Sequence, residues 1–258
     1  MPGFILALYR TAGFCVVTAI HVPILWLGYP FAAVFGKSDA WRVRMVRRWA
    51  KSICRMIGMN IQVIGQAPKP PFFLVSNHLS YIDIILYFSL TDCIFVAKSE
   101  VSNWPVMGSL AKIAGTLFIN RKQHRDIPRV NRLMQELLNE QQGILLFPEG
   151  TSSAGENVLP FKPSLLQFPA EQGLHIHCAA VKYVAPSGYD VATDICWWGD
   201  MTFVDHLWKL FQIPCFSAKV AFSQQTASAE DRKAIAVEAE VVTKDLFRKL
   251  DTKEFLCQ

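Results

Sequence analysis

The chain has 258 residues, 52% of them hydrophobic and only 18% charged, against roughly 25% charged in an ordinary soluble domain. The formal net charge is +5, but it is tied to one stretch beside an apolar segment, so nucleic acid is not the expected partner. Seven cysteines (Cys15, Cys54, Cys93, Cys178, Cys196, Cys215 and Cys257) are scattered without a Cys-x-x-Cys pair. Neither a disulfide framework nor a zinc site is expected, which suits a reducing compartment.

From Gly13 to Phe35 there is no Asp, Glu, Lys or Arg, a run long enough for a bilayer core, which takes about 20 apolar residues. A secretory signal peptide is the competing reading, with an apolar stretch of about 7–15 residues ending in small residues. Here the run is longer, holds Pro23 and Pro30, and leads into Trp41. A retained anchor is expected. Proline removes a helix hydrogen bond and bends the axis, so a kinked span and a hairpin dipping into one leaflet both stay open. Lys37, Arg42, Arg44, Arg47, Arg48, Lys51 and Arg55 follow, with only Asp39 against them. Basic residues just beyond an anchor mark the cytoplasmic side and are drawn to anionic headgroups. Trp41, Met45, Trp49, Ile53 and Ile57 recur every four residues and form a helix stripe. A basic amphipathic helix on the membrane surface fits this pattern; a surface helix packed on the core is the alternative.

Beyond it, short apolar runs alternate with helical patterns. Strands are predicted at Ile61–Ile64, Phe72–Ser76, Ile94–Ala97, Thr116–Ile119, Ile144–Phe147, Ile176–Lys182, Asp190–Cys196 and Ser217–Phe222. Helices are predicted near Ile82–Leu90, Val106–Ala114, Val130–Gln141, Ser164–Glu171, Asp205–Phe211 and Ala229–Leu250. Such alternation indicates an α/β fold: a mostly parallel sheet flanked by helices, preceded by an N-terminal membrane-associated helical segment. The division expected is 1–58 for the anchor and basic amphipathic helix, and 59–258 for the α/β domain.

Three constellations carry chemistry. Asn77-His78 follows the Phe72–Ser76 strand, and Asp83 comes five residues after His78, about 500° around an ideal helix, so the two cannot share a helix face. Ser80-x-x-Asp83 resembles a capping box. With Ser80 as cap, His78 lies in the preceding loop, and a tight turn could fold its imidazole back towards the carboxylate. A carboxylate holding one ring nitrogen leaves the other free to take a proton from an alcohol. The second constellation, Gly115-Thr116-Leu117-Phe118-Ile119-Asn120-Arg121, runs a strand out into an arginine whose planar fork suits phosphate. In the third, a strand ends in Phe147-Pro148-Glu149-Gly150-Thr151, with Lys162 following as a second cation; backbone N–H groups of such a turn could face an anion or a hydroxyl. His175 and His177 would share a strand face, but no third metal ligand is evident. Trp197-Trp198-Gly199-Asp200 could be an interfacial aromatic patch or a buried strand end. No Gly-x-Ser-x-Gly elbow occurs, which argues against an α/β-hydrolase.

Together the three blocks resemble the glycerol-3-phosphate/lysophosphatidate acyltransferase family: His78 and Asp83 match its His-x-x-x-x-Asp, Gly115 to Arg121 its Gly-x-x-Phe-Ile-x-Arg, and Phe147 to Thr151 its Phe-Pro-Glu-Gly-Thr. Lys98, Glu100, Pro105 and Gly108 resemble the family's segment between the first two blocks, and the likeness spans roughly residues 60–220. It implies a membrane enzyme moving an acyl chain from acyl-CoA or acyl-carrier protein to the sn-2 hydroxyl of 1-acylglycerol-3-phosphate, giving phosphatidic acid. It also implies His78 as general base and Asp83 as its support. Arg121 would bind the acceptor phosphate, while Asn77, Glu149, Gly150, Thr151 and Lys162 would help to position substrate. No metal and no cofactor beyond the acyl-donor co-substrate is implied, and the expected location is a bacterial inner membrane with the site facing the cytoplasm. Two positions depart from the pattern. Ser152 stands where many members have Arg, and Ala179-Ala180-Val181-Lys182 lacks the usual proline. The first keeps another lysolipid acceptor open, such as lyso-ornithine lipid. A catalytically silent lipid-binding protein and an acyl thioesterase are the alternatives of a different class.

Overall fold

The computed structural model describes residues 2–119, 127–228 and 231–251. The apolar run lies in one long helix, α1 (Pro2–Val34), which passes through both Pro23 and Pro30 without ending. The chain reverses only after it, at Gly36, where φ is +64° and a side chain would be strained. Helix α2 (Ser38–Met56) then runs back along α1. Trp41 Nε1 donates to the Leu25 carbonyl at 3.0 Å, and Trp49 Nε1 to Thr18 Oγ1 at 3.1 Å. The reversal therefore lies between two helices and not within the apolar run.

The predicted stripe on α2 is real but faces protein. Met45, Ile53 and Ile57 are buried, and Trp41 and Trp49 pack against the same core. Its partners are α1 and α3 (Ile82–Leu90), so the packed-helix alternative describes this face. Two of its cations are also engaged. Arg42 meets Asp39 at 2.8 Å, and Arg47 meets Asp92 at 3.0 Å. Of these two helices, it is α1 that leaves large apolar side chains exposed: Leu27 is 73% and Phe31 75% exposed. Length and composition suit α1 to crossing a membrane.

The first turns of α1 are bolted to the rest of the chain. Arg10 is only 3% exposed, and its guanidinium donates to the carbonyls of Met56, Phe211, Ile213 and Pro214. Met56 ends α2 and Phe211 lies in the last turn of α7 (Phe203–Gln212), while Ile213 and Pro214 lie between α7 and β7 (Phe216–Ala227). Arginine offers five donors in a fixed fork, so one side chain can satisfy several carbonyls that the helix end and the loop leave open.

The other strands are β1 (Met59–Ile64), β2 (Phe73–Ser76), β3 (Cys93–Lys98), β4 (Leu117–Ile119), β5 (Gly143–Leu146) and β6 (Ile176–Val184). The sheet order is β1-β7-β6-β2-β5-β3-β4, and every neighbouring pair is parallel except β6 with β7. Central β2 and β5 are buried throughout. Leu74 and Leu145 enter one core with α2, α3 and α7, while Phe73, Val75 and Ile144 enter a second core with α8 (Arg232–Lys249). Burial on both faces is why these strands read as unbroken apolar runs. Short helices α4 (Met107–Ile113), α5 (Ile127–Leu137) and α6 (Gln167–Glu171) complete the layers.

One expectation is corrected. The strand predicted at Asp190–Cys196 is a single helical turn, Val191–Ile195, started by Asp190, whose carboxylate accepts from Thr193 N–H at 2.9 Å. A side chain that captures its own backbone in this way competes with a sheet ladder.

Candidate active site

β2 and β5 are parallel neighbours, so the turns leaving their C-terminal ends meet on one edge of the sheet, where open α/β sheets bind ligands. That adjacency brings the first and third sequence blocks together. The backbone N–H of His78 donates to Glu149 Oε2 at 3.2 Å, and Ser153 N–H donates to the His78 carbonyl at 3.0 Å.

His78 Nδ1 lies 2.8 Å from Asp83 Oδ2. The ionised carboxylate can only accept, so Nδ1 carries the proton and Nε2 is the free, proton-accepting nitrogen. Half of the expected capping box forms. Asp83 reaches back to the N–H groups of Ser80 at 3.0 Å and Leu79 at 2.7 Å, but Ser80 Oγ finds no partner among the described residues. This back-reach is what folds the loop so that the imidazole meets the carboxylate. Asp83 is fully buried, whereas the His78 side chain is 18% exposed. The imidazole stacks on Phe147, with ring centroids 4.0 Å apart and an interplanar angle of 10°.

The remaining predicted residues divide by placement. Gly150 and Thr151 line a cavity of about 380 Å³ that also contains His78 and Ser152. Asn77 does not line it. Its amide is fully buried, with Nδ2 donating to the Val181 carbonyl at 2.9 Å and Oδ1 accepting from Val181 N–H at 2.8 Å. Glu149 is also set back, with Oε1 accepting from Leu159 N–H at 3.0 Å. In this arrangement both side chains hold loops behind the site. The Lys162 side chain is exposed, and its backbone N–H closes the turn on the Pro148 carbonyl at 2.9 Å. Arg121 lies outside the described residues, but β4 ends at Ile119 beside β3, whose Lys98 lines the cavity.

Burial pushes the Glu149 carboxyl from 4.5 up to about 8. The folded chain thus holds this proton more tightly than the unfolded chain. The resulting stability is present below pH about 4 and lost as pH rises towards 8. Thermal stability should fall across that window, and Glu149→Gln should flatten the fall. Equal slopes for the two proteins in melting curves against pH would contradict this.

The cavity is mainly apolar. Ile85, Phe88, Val96, Leu110, Ala111 and Ala114 line its body, and Tyr81, Trp104, Trp197 and Phe203 form a cluster of edge-on and tilted rings at one side. Trp197 and Trp198 therefore belong to the cavity wall. Trp49, Leu110 and Ala114 also line a separate, smaller void beside α1. Among the described residues no group of three or more His, Cys, Asp and Glu side chains is placed to hold a metal ion.

A free imidazole nitrogen facing an apolar cavity is what acyl transfer to a hydroxyl needs, and comparison with known proteins agrees. Residues 59–182 match the acyltransferase family. A 1-acyl-sn-glycerol-3-phosphate acyltransferase from Neisseria gonorrhoeae is 31% identical over 218 residues, covering 82% of this chain and 85% of the relative. The chain belongs to the lysophosphatidate and lysolipid acyltransferase family. A lyso-ornithine lipid O-acyltransferase from Pseudomonas aeruginosa is 34% identical over 171 residues, covering 66% of this acyltransferase and 65% of the relative. The crystal structure of PlsC, the 1-acyl-sn-glycerophosphate acyltransferase from Thermotoga maritima, superposes with a TM-score of 0.74 at 16% identity, covering 97% and 96% of the two chains. That likeness establishes the shared α/β fold.

Sequence reasoning missed two contributors. Phe147 was noted as part of a block, but its stacking on His78 has no signature in spacing. Tyr183, whose hydroxyl donates to Asp83 Oδ1 at 2.6 Å, lies 100 residues from its partner and belongs to none of the blocks.

Proposed function

We propose that this acyltransferase moves an acyl chain from acyl-CoA or acyl-carrier protein onto the sn-2 hydroxyl of 1-acylglycerol-3-phosphate, giving phosphatidic acid at a membrane held by α1. The observation that carries the reading is the 2.8 Å pair of His78 and Asp83, with the free ring nitrogen on the cavity. His78 Nε2 takes the hydroxyl proton as the oxygen attacks the thioester carbonyl. The tetrahedral intermediate collapses, the C–S bond breaks, and the leaving thiolate takes the proton from the imidazolium. No acyl-enzyme is formed. Asp83 stabilises the transient imidazolium, and the apolar cavity receives an acyl chain. Arg121, outside the described residues, is assigned to the acceptor phosphate because its fork matches a phosphate bidentately.

A second reading has its own observation. Ser152 lines the cavity beside Thr151 where many relatives have an arginine. The site thereby lacks one cation for a phosphate, which favours an acceptor such as lyso-ornithine lipid. The test offers one labelled acyl donor and a panel of lysolipids to high-salt-washed membranes holding the chain. Label is expected chiefly in phosphatidic acid. Preferential labelling of ornithine lipid would replace the first acceptor by the second, and activity that leaves with the wash would contradict the anchor.

A further inference from the structure

We infer that Tyr183 is a positioning residue, whose phenol fixes the carboxylate plane of Asp83 and so holds His78 in its productive orientation. The inference rests on His78 acting as the base.

The two oxygens of Asp83 are loaded unequally. Oδ2 accepts from Leu79 N–H, Ser80 N–H and His78 Nδ1. Oδ1 accepts from Tyr183, at 2.6 Å, a length typical of a charge-assisted O–H···O⁻ bond. The torsion that rotates a carboxylate about its own axis is broad and roughly two-fold. Rotation about that bond carries both oxygens, so the three bonds on Oδ2 resist it from one side, and the Tyr183 bond on Oδ1 supplies the second point that defines the plane. Asp83 is fully buried, where an ionised group with an unmet oxygen is costly.

The phenol is well suited to this task. Tyr183 is 2% exposed and packs edge-on against Phe216, with centroids 6.0 Å apart. Burial, followed by the nearby Asp83 charge, pushes its hydroxyl well above the ordinary tyrosine range, so it stays protonated and donates. Two residues earlier on β6, Val181 clamps Asn77 through both amide atoms. One strand thus holds the loop that bears His78 and, from the same side, the carboxylate that aims it. Val181 and Tyr183 both face the same core, as a period of two requires.

The test is Tyr183→Phe in the full-length, membrane-bound chain. We expect kcat to fall about 10- to 100-fold, the range for a hydrogen bond to a charged group, with KM for donor and acceptor changed less than about twofold. Added to Asp83→Asn, the same change should cost little more, because residues acting as one unit are non-additive. Unchanged kcat, a KM effect of equal size, or losses that add with Asp83→Asn would overturn the inference. Should the phenylalanine variant not fold, 3-fluorotyrosine at 183 keeps the shape and strengthens the donor. Its altered pull on Oδ1 should turn the carboxylate relative to His78 and lower kcat severalfold with KM little changed, and an unchanged kcat would overturn the inference. If His78→Ala keeps full turnover, the base assignment itself has failed, which is a separate outcome.

Discussion

Replacing His78 with alanine should lower acyl transfer by about 10²–10⁴-fold, the usual contribution of a positioned general base. The ring is partly exposed in a loop, and its main packing partner is the face of Phe147. Membrane association should persist, and the melting temperature should drop by only a few degrees. Asp83→Asn should be nearly as severe, since it removes the charge that supports the imidazolium and fixes its tautomer. It also weakens the acceptor for Leu79 and Ser80 N–H, so some stability should be lost with it. Turnover by purified protein at saturating substrates is the measurement. Near-normal kcat in His78→Ala would remove the mechanism, whatever the fold.

The largest stability effect is expected at Arg10→Ala. Truncation leaves the carbonyls of Met56, Phe211, Ile213 and Pro214 without their donor in a site that is 3% exposed. Each buried group left unpaired costs about 1–3 kcal/mol, partly recovered by local relaxation and water. A net loss of about 3–5 kcal/mol follows, or a melting temperature lower by about 10 °C in a chain of this size. Arg10→Lys should recover only part of it, because a point charge cannot serve a fork's worth of carbonyls. Thermal melts in detergent give the answer, and a shift within about two degrees would show that α1 is only loosely attached.

The two predictions differ in how legible their residues were. His78 and Asp83 stand five residues apart in a strand-end turn, where local chain geometry alone decides whether they meet. The strands read well because β2 and β5 are buried on both faces and must be apolar. What escaped depends on register between distant segments. Arg10 meets carbonyls more than 200 residues away, and Tyr183 meets a carboxylate 100 residues away. The resemblance implied that Asn77 and Glu149 help to position substrate; their side chains bond to Val181 and Leu159 backbone while their neighbours His78 and Gly150 line the cavity, a division that depends on those distant partners. The stripe on α2 showed an apolar face without showing what covers it. Asp190–Cys196 had strand-like composition, yet the Asp190 carboxylate captured the backbone first.

The central claim is that the proton-accepting nitrogen of His78 activates a lysolipid hydroxyl instead of water. The most direct measurement follows labelled acyl thioester in a single turnover, with and without lysophosphatidic acid, in the wild type and in His78→Ala. Label should appear in diacyl lipid only when acceptor is present, with little free fatty acid, and should stay on the thioester in the variant. Free fatty acid released at the same rate without acceptor would make the protein a thioesterase, and diacyl product formed equally fast by His78→Ala would contradict the account outright.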